Sequence, residues 1–252
     1  MRIARFCLAA CLVLAAIPAA AQDAAMRLEA LAERMAKLQA QLGQGVLAER
    51  SRRALKESMR EFETSLRAAT ASAPNLEAKE NYALLALLWQ DYRAWVVKPP
   101  SKDNARRLAE RAEEITWIAS KGARMILEPG RKGTGRLALD AAHAATLAQR
   151  VARLHLLRRW GLRDAGIEKQ LMAATEDLGA TMEKLRKSPS NTPEVETELR
   201  VAGDQLSFLA QAVQDLEGGR GTARQMEFIA KAGDNIMESM TRVARMYEGI
   251  AP

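Results

Sequence analysis

The sequence predicts an all-α protein built of two tandem four-helix up-down bundles, eight helices in all, after a signal peptide. Two observations carry this prediction. Apolar residues recur at helical spacing, and the stretch 31–38, LAERMAKL, returns 116 positions later as LAQRVARL at 147–154. Apolar residues three and four positions apart form one stripe along a helix. Helices with one such stripe bury it against each other, and an antiparallel four-helix bundle is a common solution.

The first 21 residues have the features of a secretory signal peptide. A short basic start, MRIAR, precedes sixteen residues without charge, and Ala19 and Ala21 form an A-x-A pattern before Gln22. A retained N-terminal anchor and a lipid attached at Cys11 are the alternatives. We therefore expect an exported protein, periplasmic in a Gram-negative cell, without stable membrane insertion after cleavage.

Cysteine content and charge narrow the class of protein further. Cys7 and Cys11 both lie in the leader, so the mature chain would have no disulfide. Loss of Arg2 and Arg5 with the leader lowers the formal net charge from +7 to +5. The remaining cations alternate with acids, as in RRLAERAEE, which is typical of solvated helix faces. Export and this alternation argue against a nucleic-acid partner.

The first unit, predicted for residues 23–129, contains four apolar runs with helical spacing. Prolines fall in the breaks between helices, where their missing amide hydrogen does least harm. Each run is expected to bury one face of one helix. The runs are Leu28, Leu31, Met35, Leu38 and Leu42; Leu55, Met59, Phe62, Leu66 and Ala69; Tyr82, Leu85, Trp89, Tyr92 and Val96; and Leu108, Ala112, Ile115, Ala119, Gly122 and Ile126.

The second unit, predicted for residues 137–252 after a linker at 130–136, repeats this series. The offset between matching positions is 116 in the first two helices, 117 in the third and 121 in the fourth, where GARMI meets VARMY. The offset changes only at predicted loops, as insertions between repeated helices would require. Chance similarity among Ala-, Leu- and Arg-rich helices is the alternative. We interpret the chain as the duplication of one four-helix unit.

LAERMAKL and LAQRVARL also resemble the helix that opens the N-terminal sensory domain of type IV pilus chemotaxis transducers (PilJ-type), a module shared with nitrate and nitrite sensor kinases of the NarX type. That helix contains S-Q-R-[MI]-A-K, and residues 33–37 and 149–153 fill its later half. KSPSNTPEVETEL is similar to the family's loop into the third helix. The resemblance implies a four-helix sensory bundle whose copies pair with their opening helices near the dimer axis.

The resemblance does not carry over nitrate binding. The family's nitrate sensors have an arginine five residues before the Q-R arginine, and this chain has Glu29 and Ala145 at the two equivalent positions. A carboxylate there would repel an anion. The family's usual output region is not found after Pro252, so we expect a sensory module detached from its signalling machinery.

Arg34 and Arg150 are the candidate ligand-binding residues. Each lies beside the apolar seam of its helix, from which a guanidinium can reach a small anion or a carboxylate. An ion pair with a neighbouring helix is the alternative. If the fused units imitate the family's dimer, the two opening helices face each other and bring these arginines close together. Lys37 and Arg153 are expected to point outward into solvent.

No catalytic residue, metal or cofactor is expected. His143 and His155 lie about three turns apart on one predicted helix. The sequence has no Glu-x-x-His pair, no C-x-x-C-H, no G-x-S-x-G and no phosphate-binding G-x-x-x-x-G-K-[ST] loop. Core packing is expected for residues that could otherwise suggest a copper(I) or ligand site. These residues are Met226, Met237, Met240, Met246, Trp89, Tyr92 and Trp117.

The sequence therefore favours an exported, non-enzymatic helical protein of sensory type. Its partner is expected to be a small ligand such as an anion, or another protein. A structural or scaffold protein without a ligand site is the alternative.

Overall fold

The computed structural model describes residues 19–127, 133–215 and 222–249. These ranges form eight α-helices and contain no strand, which confirms the all-α prediction. The helices are α1 (Ala19–Gly43), α2 (Ala48–Ala71), α3 (Leu76–Val96), α4 (Lys102–Leu127), α5 (Thr134–Arg159), α6 (Ala165–Arg186), α7 (Pro193–Asp215) and α8 (Ala223–Gly249). Residues 1–18 of the predicted signal peptide and 130–132 of the predicted linker lie outside the described ranges, and α5 begins within that linker.

Capping side chains begin two of the helices. The Asn75 side chain accepts a hydrogen bond from the backbone amide of Ala78 at 2.8 Å and begins α3. Asp164 does the same for Ile167 at 3.0 Å and begins α6. Such caps satisfy amides that have no partner within the helix. Pro193 occupies the first turn of α7, where its missing amide hydrogen is harmless.

The helices pack as two sets of four, and the buried apolar residues of both sets form one continuous core. Helix α1 contacts α2 and α4, and α3 completes the first bundle; α5 contacts α6 and α8, and α7 completes the second. The predicted stripes of α3 and α4 are buried throughout, and Met240 is fully buried in α8. No helix within the described ranges is both long and apolar enough to cross a membrane.

The two bundles join through their opening helices. Helix α1 packs along α5, as the hypothesis of an internal dimer requires, and each opening helix also contacts the fourth helix of the other bundle. Glu33 contacts Arg150, and eleven residues further on, just after the end of α1, the Gln44 side chain donates to the carbonyl of Leu156 at 3.0 Å. The two opening helices therefore run parallel, related by a pseudo-twofold along their length.

One core prediction is wrong. Trp117 was expected in the core, but the side chain is 68% exposed. Ile115 and Ala119 belong to the buried stripe of α4. Trp117 lies two positions from each of them and therefore points away from that stripe. Trp117 instead lines a cavity at the junction of the bundles.

Gly233 sets the close approach of α8 to α5. A Cβ atom at this position would lie 2.8 Å from Cβ of Ala152 and 3.2 Å from the carbonyl oxygen of Ala148. We expect Gly233→Ala to force the helices apart and lower the free energy of unfolding by about 1–3 kcal/mol. Gly203→Ala in α7, where a Cβ atom meets nothing within 4 Å, is the matched control.

The control substitution should stabilise the protein by about 0.5–1 kcal/mol, because alanine favours the helix. Urea denaturation of both variants measures the two effects. Equal stabilisation by both substitutions would contradict tight packing at Gly233.

Candidate functional site

The junction between the bundles contains two buried clusters of charged residues. One is centred on Asp234 of α8 and is called the Asp234 cluster. The other is centred on Glu33 of α1 and is called the Glu33 cluster. Both carboxylates are buried, so each needs the cations around it to remain ionised.

In the Asp234 cluster, one carboxylate lies beside two cations of α1. Lys37 Nζ, which is fully buried, donates to the carboxylate at 2.6 Å and to the carbonyl of Ala230 at 3.1 Å. Arg34 Nε lies 3.5 Å from the same carboxylate oxygen and makes no hydrogen bond within the described residues. Burial alone would raise the pKa of Asp234, but Lys37 and Arg34 hold it below its ordinary value. Two positive charges thus share one negative charge.

In the Glu33 cluster, one carboxylate of α1 binds two arginines of α5. Arg150 Nε and Arg153 Nε each donate to a different oxygen of Glu33, both at 2.8 Å. Arg150 also donates to the Thr116 hydroxyl of α4 at 3.1 Å. Burial would raise the pKa of Glu33, but Arg153 and Arg150 hold it below its ordinary value. The same carboxylate raises the pKa of Arg150.

The expectation that Lys37 and Arg153 point into solvent is wrong. Both side chains are almost completely buried, with Lys37 bound to Asp234 and Arg153 to Glu33. The apolar spacing predicts one buried face for each opening helix. These helices pack against two bundles at once, so faces that would be solvated in a single bundle are covered.

The sequence repeat relates the charged residues of the two clusters to each other, except at Glu33. The offset of 116 pairs Arg34 with Arg150, and the offset of 121 pairs Asp234 with Glu113 of α4. Burial raises the pKa of Glu113, whereas the positive charges of Arg153 and Arg150 on α5 act to lower it. The exception is Glu33, whose counterpart Gln149 is neutral and donates to the carbonyl of Gly233 at 2.8 Å.

Two cavities flank the junction and are also related by the repeat. Cavity A has a volume of about 380 Å³ and lies among α1, α2, α5 and α8. Cavity B has a volume of about 400 Å³ and lies among α1, α4, α5 and α6. Each is lined by one of the two candidate arginines, Arg34 in cavity A and Arg150 in cavity B. Both volumes are within the range of small-molecule sites.

Cavity A is lined by more arginines than carboxylates. Its floor is apolar, with Met26, Leu31 and Ala145 among the lining residues. Several of its arginines are paired: Arg27 with Glu61, Arg242 with Glu198, and Arg245 with Asp23. Arg34 differs from these because its nearest carboxylate, that of Asp234, is already bound to Lys37. The charged lining residues are Arg27, Arg34, Arg242, Arg245, Asp23, Glu61 and Glu238.

Cavity B is acidic. Glu29, Glu113 and Asp177 line it, against Arg150, which is bound to Glu33. Burial raises the pKa of Glu29 to about 7, although a hydrogen bond with Ser120 and the charges of Arg124 and Arg150 act in the opposite direction. Cavity B therefore disfavours an anion.

The candidate arginines differ in how firmly each is paired. Arg150 has a direct bond to Glu33 and a second one to Thr116, so the interhelical ion pair left open by the sequence is present. Among the residues that the structure describes, Arg34 has only the longer contact to Asp234, and its side chain is 14% exposed. No sequence pattern distinguished the two positions. The asymmetry between Glu33 and Gln149 was the available signal, because it places the extra carboxylate beside Arg150.

The histidines are not arranged as a metal site. His143 Nε2 lies 3.0 Å from a carboxylate oxygen of Asp177 at the edge of cavity B. Within residues 19–127, 133–215 and 222–249, no group of three or more His, Cys, Asp or Glu side chains could hold a metal ion.

Comparison with protein-family models, with curated proteins and with solved structures finds no match to this chain.

Proposed function

We propose that this chain is an exported, non-enzymatic binding protein of the PilJ/NarX sensory type, acting in the periplasm, and that it binds a small anion in cavity A. The observation that supports this proposal is the charge balance around Arg34. Lys37 and Arg34 share the single carboxylate of Asp234, and Arg34 lines the cavity. A bound anion would supply the missing negative charge.

The chemistry of the cavity favours a small carboxylate or an ion of similar size. Guanidinium groups bind planar oxyanions through two parallel hydrogen bonds. The apolar floor formed by Met26, Leu31 and Ala145 would accommodate a short hydrocarbon body. Arg150 has a structural role in this proposal, because its guanidinium is bound to Glu33.

Thermal denaturation with nitrate, nitrite, acetate or succinate tests this site. A ligand present at 100 times its dissociation constant adds about 2.7 kcal/mol to the stability. In a protein of this size the midpoint should rise by about 5–10 °C. Arg34→Gln should abolish the rise, while Arg53→Gln on the exposed face of α2 should leave it intact.

A rise that is equal in the wild type and in Arg34→Gln would exclude cavity A as the site. If none of these anions moves the midpoint of the wild type, the scaffold alternative becomes the better proposal. The internal ion pairs of Arg34 and Arg150 favour that alternative, since both arginines already join helices of different bundles.

A further inference from the structure

A long apolar groove lies between α6 and α7, on a different face of α6 from cavity B. Its volume is about 770 Å³, about twice that of either cavity. Val151 of α5 lies at its base, and Met172, 69% exposed, lies at its mouth. The other apolar lining residues are Leu171, Leu178, Leu206, Leu209, Ala210 and Val213.

In the first bundle, aromatic side chains occupy the equivalent position between α2 and α3. Between α2 and α3, the rings of Phe62 and Trp89 stack with their centroids 4.3 Å apart. Tyr92 is fully buried beside them, and its hydroxyl donates to the carbonyl of Ala32 at 2.7 Å. The repeat offsets of 116 and 117 place leucine at all three positions of the second bundle. These residues are Leu178, Leu206 and Leu209.

Each leucine is smaller than the ring at the matching position; Leu178 and Leu209 are buried as their counterparts are, and Leu206 is the position that differs. Trp89 is buried in the first bundle, whereas its counterpart Leu206 is only half-buried. The groove lies beside Leu206 and is lined by further apolar side chains of α6 and α7. Exposed apolar surface that lines a groove often marks a ligand or partner site. An apolar occupant would restore the packing that the first bundle achieves with its own side chains.

The shape of the groove selects a long occupant rather than a compact one. Its lining runs along α6 from Glu168 to Leu178. At 1.5 Å per residue this run is about 15 Å long. The helices are antiparallel neighbours, so Glu168 and Lys169 lie at the same end as Gln214, and Leu178 and Leu206 lie toward the other end. Thr175 and Glu176 also line the groove, toward Leu178, and Lys169 is the only lysine or arginine among its lining residues.

We propose that the α6–α7 groove binds the acyl chain of a fatty-acid-like amphiphile, with its head group at the Lys169 end. The chain would lie along the leucines of α6 and α7 and cover Val151. The carboxylate would stay in water beside the Lys169 ammonium. This site is separate from the anion site at Arg34 and does not depend on it.

Dodecanoate binding to the full chain tests the proposal, measured by calorimetry and by displacement of a dansyl-labelled undecanoate. Leu206→Trp combined with Leu178→Phe restores two of the rings of the first bundle. This variant should bind dodecanoate at least about tenfold more weakly while its midpoint of unfolding stays the same or rises. Leu87→Trp, at a position on α3 that is 64% exposed, is the matched control and should bind normally.

Met172→Glu provides a second variant that does not alter the core, and it should also weaken binding about tenfold by placing a like charge at the mouth of the groove. The proposal is overturned if the wild type does not bind dodecanoate, or if binding is unchanged in both variants. It is also overturned if an aromatic probe such as N-phenyl-1-naphthylamine binds and dodecanoate does not. A wild-type dimer that Leu206→Trp dissociates would make a second copy the occupant and would equally overturn it.

Discussion

Glu33→Ala is expected to lower the free energy of unfolding by about 3–5 kcal/mol. Glu33 is fully buried, and its two oxygens accept hydrogen bonds from Arg150 and Arg153. The substitution leaves two guanidinium groups without their counter-charge, and that of Arg153 has no access to water. Urea denaturation at pH 7 measures the loss.

The pH dependence of this loss distinguishes a charge effect from a packing effect. The two arginines hold the pKa of Glu33 below its ordinary value of 4.5, so its ionised form stabilises the folded state. That contribution is complete above about pH 4.5 and disappears as the pH falls through the lowered pKa of the folded state. The difference between the wild type and Glu33→Ala should therefore shrink in strong acid.

Glu114→Ala, at an exposed position of α4, is the matched control. Surface substitutions of this kind change stability by about 0.5 kcal/mol or less. Glu33→Gln retains the size of the side chain and should still lose much of the stability, because the charge is removed. A loss below about 1 kcal/mol in Glu33→Ala would show that Arg150 and Arg153 find other partners.

The sequence was sufficient for the helices and their cores because those depend on local spacing. A residue such as Tyr82 or Leu108 is buried because it lies on the one stripe that faces the helix's own bundle. The sequence repeat, combined with the dimer of the sensory family that it resembles, also led to the pairing of α1 with α5 that the structure shows. Both results follow from patterns that are present within 30 residues of chain or repeated between the two halves.

The buried charges could not be predicted in the same way. Lys37 lies off the apolar stripe of α1, and nothing near it in the sequence indicates that a second bundle covers that face. Its partner Asp234 is nearly 200 positions away on α8. The repeat pairs Lys37 with Arg153 and Asp234 with Glu113, so the sequence shows a cation and an acid at matching positions of both units. Only the packing of the bundles shows that they meet.

The difference between the two cavities also depends on tertiary structure. Glu29 and Ala145 are equivalent in the repeat, but each lines the cavity that contains the other unit's candidate arginine. Glu29 therefore lies beside Arg150, and Ala145 lies beside Arg34. Glu29 adds a third carboxylate to cavity B, beside Glu113 and Asp177, whereas Ala145 adds no charge to cavity A.

Glu29 should make the protein less stable as the pH rises from about 5 to about 8. Burial raises its pKa from 4.5 to about 7. Between these values the folded state keeps a proton that the unfolded chain has released. The stabilisation is therefore complete below about pH 4.5 and is lost as the pH rises through 7. At 1.36 kcal/mol per pKa unit, the loss is on the order of 3 kcal/mol.

Glu29→Gln should remove this loss because the amide is neutral at every pH and can still bond to Ser120. The variant should be more stable than the wild type by on the order of 3 kcal/mol at pH 8 and about equal to it at pH 4. Urea denaturation at pH 4, 6 and 8 measures the difference, with Glu114→Gln as the exposed control. A difference that does not vary with pH would show that Glu29 is ionised throughout, with Arg124 and Arg150 acting in place of the proton.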